Sequence, residues 1–193
     1  MACQLVWQRN VSEMRIIHVV GYSRVGKTQL IELLCQRLAS RVLVLKFSHH
    51  PGLDRSGSDT DRFHARHADT LLIQPGQTTW RSTEPLAIDW PRMAPYYDWM
   101  IWEGGKHLNT PKIVFDTEDL IRSVSHVQLI IGPAPHQESP SAWYETPLPL
   151  TPDTTDAVAD YIIRHQQRFS VDWSHPSVQE VLRSSPGHLA PSP

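Results

Sequence analysis

The sequence predicts an α/β domain with a mainly parallel sheet, and three observations predict it. Apolar runs rich in β-branched residues recur along the chain, at residues 15–20, 42–47, 70–74, 98–102 and 127–131. Amphipathic or polar stretches separate them, so strand and helix alternate as in βαβ units. The first run leads directly into a glycine-containing loop, Gly21 to Thr28, and then into a helical pattern.

The elements follow in order. Arg15–Val20 reads as a central strand because its run is apolar. Lys27–Ala39 reads as a helix whose inner face carries Leu30, Ile31, Leu33, Leu34 and Leu38. Val42–Phe47 is a second buried strand, and residues 48–58 are a polar loop. Asp59–Ala68 fits a short helix, and Thr70–Gln74 a third strand that turns through PGQ into Thr78–Ser82. Asp98–Trp102 is a fourth strand ending at Glu103-Gly104-Gly105. Lys112–Phe115 fits a short strand at a sheet edge, and Val127–Ile131 another buried strand. The prolines from Pro133 to Pro152 mark a long loop, because proline lacks the backbone donor. Asp153–Phe169 then reads as a helix, capped by Thr151 or Asp153, with Ala157, Val158, Tyr161 and Ile162 facing inward. Residues 1–170 are expected to form one domain, and 171–193 an extension whose proline-rich tail is frayed.

Composition narrows the function. The 193 residues are 40% hydrophobic and 20% charged, as in ordinary globular proteins. A net charge of −2 gives no electrostatic case for nucleic acid or an anionic membrane. No apolar run is long enough to span a bilayer, and the first fifteen residues lack a secretory pattern. Cys3 and Cys35 are the only cysteines, which fits a reduced, cytoplasmic setting. Of the seven tryptophans, Trp99 and Trp102 belong to the core; Trp80 and Trp90 fit either core or a partner surface.

The segment GYSRVGKT fits the phosphate-binding pattern G-x-x-x-x-G-K-[ST] in its required strand–loop–helix context. Backbone N–H groups and the positive end of the following helix form an anion cradle there. The expected nucleotide contacts are Gly21, Ser23, Arg24, Val25, Gly26, Lys27, Thr28 and Gln29. Lys27 supplies a charge for the terminal phosphates, and the Thr28 hydroxyl a ligand for Mg²⁺. The fold is therefore expected to be P-loop NTPase-like, with three layers.

Ligands of such sheets lie beyond the carboxyl ends of the strands. That places Lys46, His49, His50, Glu103 and Lys106 on one rim with the loop. Glu103 follows a buried strand and is set to reach the metal, and Asp59 in GSDTDR is a second metal or switch carboxylate. Lys27, Asp59 and Glu103 are thus the catalytic candidates, and Thr28, Asp59 and Glu103 the metal candidates. Lys46 and Lys106 add charge over the phosphates or over a second anion. His49 and His50 line the rim; with His64, His67, Asp54, Asp59 and Asp61 they also fit a transition-metal cluster. No N-K-x-D segment selects guanine and no water-activating residue stands out, although Arg24 is a candidate for transition-state charge, so slow hydrolysis is expected unless a partner completes the site.

Together these motifs resemble the molybdopterin-guanine dinucleotide biosynthesis adaptor proteins, the MobB family. The family's G-x-S-x-x-G-K-T appears as GYSRVGKT, its K-H-x-H-H as KFSHH, its G-K-D-S-x-R segment as GSDTDR, and its V-E-G-F-K and P-K-I as WEGGK and PKI. The resemblance covers residues 15–131. It implies a GTP-binding homodimer with weak GTPase activity. It also implies a partner, the MobA-type nucleotidyltransferase that joins GMP to molybdopterin, with molybdopterin or a molybdoenzyme as further partners. Departures are Phe47 for the first histidine, Ser58 for the lysine of G-K-D-S, Asp69 near the usual glycine, and Gly105 for the aromatic of E-G-F-K. Two other readings fit the same residues: a small-molecule kinase holding its acceptor between the rim and segment 76–96, and a nucleotide-dependent metal carrier using the histidines.

Overall fold

The computed structural model describes residues 14–38, 40–47, 58–66, 68–74, 77–81, 93–116, 120–133 and 143–184. Among the described residues nine strands form one sheet: β1 Arg15–Gly21, β2 Val42–Phe47, β3 Asp69–Gln74, β4 Gln77–Arg81, β5 Trp99–Glu103, β6 Lys112–Phe115, β7 Val127–Gly132, β8 Trp143–Glu145 and β9 Ser170–Asp172. The helices are α1 Lys27–Arg37, α2 Asp59–His64, α3 Pro152–Arg164, α4 Gln166–Phe169 and α5 Pro176–Ser184. The strand order is β4-β3-β2-β5-β1-β6-β7-β8. All neighbours on that path are parallel except β3 and β4.

β1 is central, as its apolar run predicts. β6 differs from the expectation of an edge: it lies between β1 and β7, and Lys112 through Phe115 are all buried. Four residues are too short a run for sequence to separate an edge from an interior strand. Because β6 pairs only with Val19–Gly21, it leaves the start of β1 open on that side, and β9 pairs antiparallel with Arg15–Ile17 there. The loop expected from 133 to 152 contains β8, which extends the sheet beyond β7. The helix expected over 153–169 is two pieces, interrupted at His165. Thr151 is its N-cap in a reciprocal capping box with Thr154.

Period-two alternation divides the core. One face of the sheet presents Ile17, Val19, Val44, Ile101, Phe115 and Ile131 to α1 and α3, with Phe63 of α2 in the same cluster. The other presents Ile16, Leu43, Leu45, Met100 and Trp102 to Met93, Tyr97 and Trp173, and to Val178, Val181 and Leu182 of α5. The boundary expected at residue 170 falls where β9 begins, and the chain continues into this second core as far as Leu182. Trp99 and Trp102 are core residues, as expected. Among the described residues no helix is long and apolar enough to cross a membrane.

Candidate functional site

The site is built where β1, β2 and β5 end. β1 passes into the loop Gly21–Gly26, which needs two left-handed residues: Arg24 at φ 65° and Gly26 at φ 98°. Gly26 is the N-cap of α1, and a Cβ there would meet Leu150 Cβ at 2.9 Å. Leu150, just ahead of α3, thus braces the loop from behind, and its N–H donates to the Val25 carbonyl at 3.4 Å. Val25 points inward, whereas Ser23, Arg24 and Gln29 are exposed on the open side. Lys27 is 9% exposed, and its ammonium donates back to the Tyr22 carbonyl across the loop.

Register carries the next two residues to the same place. Lys46 of β2 lies opposite Glu103 of β5, and Glu103 lies opposite Val19 of β1. Partners in parallel register send their side chains to the same face, here the α1 side. α2 then brings Asp59 over them, and the paired contacts of Arg62 with Glu32, at 2.8 and 3.0 Å, tie α2 to α1. The Lys46 ammonium sits 2.8 Å from Asp59 Oδ2 and 3.8 Å from Glu103 Oε2. The Thr28 hydroxyl hydrogen-bonds to the Asp59 carboxylate.

Electrostatics at the rim follow from burial opposed by pairing. Burial lowers the Lys27 pKa, against the pull of Glu103 and Asp59. Burial raises that of Glu103, against Lys46 and Lys27. For Asp59 burial also acts upward, but the Lys46 hydrogen bond and charge, Thr28 and Arg62 outweigh it, and its pKa falls. Glu103 is 6% exposed and its Oε2 accepts no hydrogen bond. A buried carboxylate oxygen without a donor, beside a threonine hydroxyl and a second carboxylate, is a donor set suited to a hard divalent cation. Among the described residues no group of three or more His, Cys, Asp or Glu side chains is placed to hold a metal ion by itself.

Of the residues expected at the site, the structure brings together Gly21, Gly26, Lys27, Thr28, Lys46, Asp59 and Glu103. Lys106 lies in the turn after β5, exposed, its ammonium 5.9 Å from the centre of the exposed Tyr22 ring. His49, His50, Asp54 and His67 lie outside the described residues, as do the side chains of Asp61 and His64.

The turn after Glu103, expected from sequence at Gly104-Gly105, is shaped further by two buried side chains: His18, which was not singled out from sequence, and Lys112, which was noted only within the PKI motif. The turn after Glu103 uses Gly104 at φ 83° and Gly105 at φ 59°, and a Cβ on Gly104 would stand 2.7 Å from the Phe47 carbonyl oxygen. Beneath it, on the other face of the sheet, His18 lies 2.6 Å through Nε2 from the Gly104 carbonyl and 2.5 Å through Nδ1 from the Thr110 hydroxyl. A carbonyl only accepts, so Nε2 carries the proton and Nδ1 accepts from Thr110. Burial lowers the pKa of this ring to about 3, so it is neutral. Lys112 is fully buried and its ammonium donates to the carbonyls of Leu108, Thr110 and Ser125. The available signal was a lone histidine inside an apolar strand and a lysine at the head of KIVF.

The sequence is similar to those of known proteins. The sequence profile of a family described as MobB, molybdopterin guanine dinucleotide synthesis protein B, matches residues 16–130. A Methanocaldococcus jannaschii protein named a putative molybdopterin-guanine dinucleotide biosynthesis adapter is 32% identical over 130 residues, 61% of this chain and 55% of its own length. The chain thus spans only about half of that relative. The Haemophilus influenzae adapter protein is 26% identical over 60% of this chain and 71% of its own. A probable adapter of Bacillus subtilis is 29% identical over 63% and 78%. The crystal structure of Bacillus subtilis MobB aligns with 75% of this chain and 96% of its own, at 23% identity and a TM-score of 0.43.

Proposed function

The chain belongs to the molybdopterin guanine dinucleotide synthesis protein B family, and on that premise we propose that it is a GTP-binding adaptor in the biosynthesis of that dinucleotide. It assists a MobA-type guanylyl transferase, and its own GTPase activity is slow. The observation that carries the reading is the convergence of Lys27, Thr28, Lys46, Asp59 and Glu103 on one rim beside the phosphate-loop backbone.

Each residue has a part that its setting supports. The loop N–H groups and the start of α1 seat the phosphates. Lys27, braced across the loop by the Tyr22 carbonyl, directs its ammonium to the terminal phosphates. Thr28, Asp59 and Glu103 would hold Mg²⁺, which when bound draws negative charge from the phosphate oxygens. Lys106, in the turn opposite Tyr22, closes one side of the phosphate seat. Asp59 on α2 is placed to sense the bound nucleotide, and the surface of the rim around it, in a homodimer, engages the transferase or its pterin.

The test is a calorimetric titration of the full chain with GTP and with ATP, with and without Mg²⁺, repeated in the presence of the transferase. The expected result is Mg²⁺-dependent binding that favours GTP, slow phosphate release to water, and tighter binding to the transferase with nucleotide present. Absence of binding to any magnesium nucleotide rejects the reading, and transfer of phosphate to a small acceptor replaces it with a kinase.

A further inference from the structure

We propose that Lys46 is an internal counter-cation, competing with a divalent metal ion for the carboxylates of Asp59 and Glu103, so that the metal is admitted together with a polyphosphate and not alone. This deepens the reading above and rests on it for the nature of the site.

Lys46 was expected from sequence to add charge over the phosphates or over a second anion. In the structure its ammonium is half-buried and lies against two carboxylates, 2.8 Å from Asp59 Oδ2 and 3.8 Å from Glu103 Oε2. The backbone sets this arrangement, because Lys46 and Glu103 are register partners on adjacent parallel strands. Asp59 is brought from the opposite side by α2, which Arg62 ties to Glu32 of α1. Two ammoniums and two carboxylates therefore form a balanced group in a poorly solvated place. Lys46 is the stronger of the two cationic influences on Glu103, ahead of Lys27.

A metal ion entering alone would have to share Asp59 and Glu103 with Lys46. Like charges at such separations repel strongly where water is scarce. A polyphosphate changes the balance, because it offers Lys46 a second anionic partner within reach of the loop and releases the carboxylates. The structure thus couples metal to nucleotide through one side chain. The coupling is reciprocal, since whatever tightens the metal in the presence of nucleotide tightens the nucleotide in the presence of metal.

The alternative is that Lys46 acts only as a phosphate contact, and the two readings differ in what its removal does. The probe is Mn²⁺, followed by electron paramagnetic resonance in a titration of the nucleotide-free full chain, for the wild type, Lys46→Met, Lys46→Gln and Lys46→Arg. Lys46→Met and Lys46→Gln are expected to bind Mn²⁺ at least about tenfold more tightly than wild type, and Lys46→Arg to bind it as weakly as wild type. In the second arm, GTP affinity falls in Lys46→Met without metal and is kept or raised with Mg²⁺, so the ratio of the two widens. Unchanged Mn²⁺ affinity in both neutral variants, or equal loss of GTP affinity with and without Mg²⁺, overturns the proposal. The Mn²⁺ arm needs no nucleotide, so a protein that binds no GTP would sink the proposed function while this arm still judges Lys46. Far-UV circular dichroism establishes that each variant is folded, and having two neutral variants keeps the test decisive if one is not.

Discussion

The two faces of the sheet carry two buried polar groupings that meet at one turn, and they are built on opposite principles. On the α1 face, Lys27, Lys46, Asp59 and Glu103 set like and unlike charges against each other, and Glu103 keeps an oxygen that accepts no hydrogen bond. On the far face, His18 bonds through one ring nitrogen to the Thr110 hydroxyl and through the other to the Gly104 carbonyl, and Lys112 gives its three donors to three carbonyls. The second grouping is saturated, so it has nothing left for a ligand and serves as architecture. The first is charged and incompletely bonded, which is the condition of a site that completes itself with a ligand. Glu103 and Gly104 are neighbours in the chain, so the saturated grouping fixes the turn from which the unsaturated one operates.

This contrast is most easily broken at Lys112. Lys112→Met takes the donor from one buried and two part-buried carbonyls and is expected to cost about 3 kcal/mol, at 1–3 kcal/mol for the buried group and less for the two that water reaches. Urea unfolding reads the loss, and GTP affinity of the folded fraction should stay near that of wild type. If affinity fell while stability held, the division between the two faces would be wrong.

His18 sharpens the same point through pH. Its folded pKa of about 3 lies below the ordinary histidine value of 6.5. Between those values the unfolded chain takes up a proton that the folded chain refuses. The stabilising preference for the neutral ring is therefore whole above pH 6.5 and lost as pH falls below it, by about 1.4 kcal/mol per unit. Unfolding followed from pH 6.5 down to 4.5 should show that slope in the difference between wild type and His18→Gln. A His18 ring that titrates near 6.5 by nitrogen NMR would contradict the buried tautomer.

Lys27 belongs to the other face and should behave in the opposite way. Lys27→Ala is expected to weaken GTP binding about a hundredfold, as loss of a charge-assisted phosphate contact does. Its urea midpoint should change little, because burial already opposes the charge of this ammonium in the folded protein. A large stability loss with unchanged GTP affinity would move Lys27 to the architectural set.

Much of this was legible from sequence where local pattern and site chemistry coincide. The strand before Gly21, the loop and α1 follow from β-branched residues, glycine placement and a 3.6-residue period, all of which act locally. The rim was legible as well, because strand ends in a parallel sheet converge whatever the side chains between them. The interior position of β6 was not, since it depends on β7 and β9 taking the neighbouring places, and four apolar residues look alike at an edge or inside. The ion pairing of Lys46 was not, because it arises from register between β2 and β5, a long-range quantity. The bonding of His18 stayed hidden for the same reason: its partners, Gly104 and Thr110, lie far along the chain.

Phe47 and Gly105 show the limit most clearly and give the smallest effect. From sequence they are two separate departures from the family pattern, an aromatic gained after Lys46 and one lost before Lys106. In the fold they are neighbours. A Cβ placed on Gly105 would stand 3.1 Å from Cγ and Cδ2 of the Phe47 ring, and that ring meets Trp102 edge-on at 5.7 Å between centroids. One aromatic therefore occupies the space from which the other would project. Gly105→Phe alone is expected to destabilise, through a left-handed backbone and through contact with Phe47 and Leu108. Adding Phe47→Ala should return about 1 kcal/mol of that loss, the size typical of contacting pairs in a double-mutant cycle. Strict additivity of the two changes, measured by urea unfolding, would mean that the rings do not exchange places and that the turn is set from the His18 side alone.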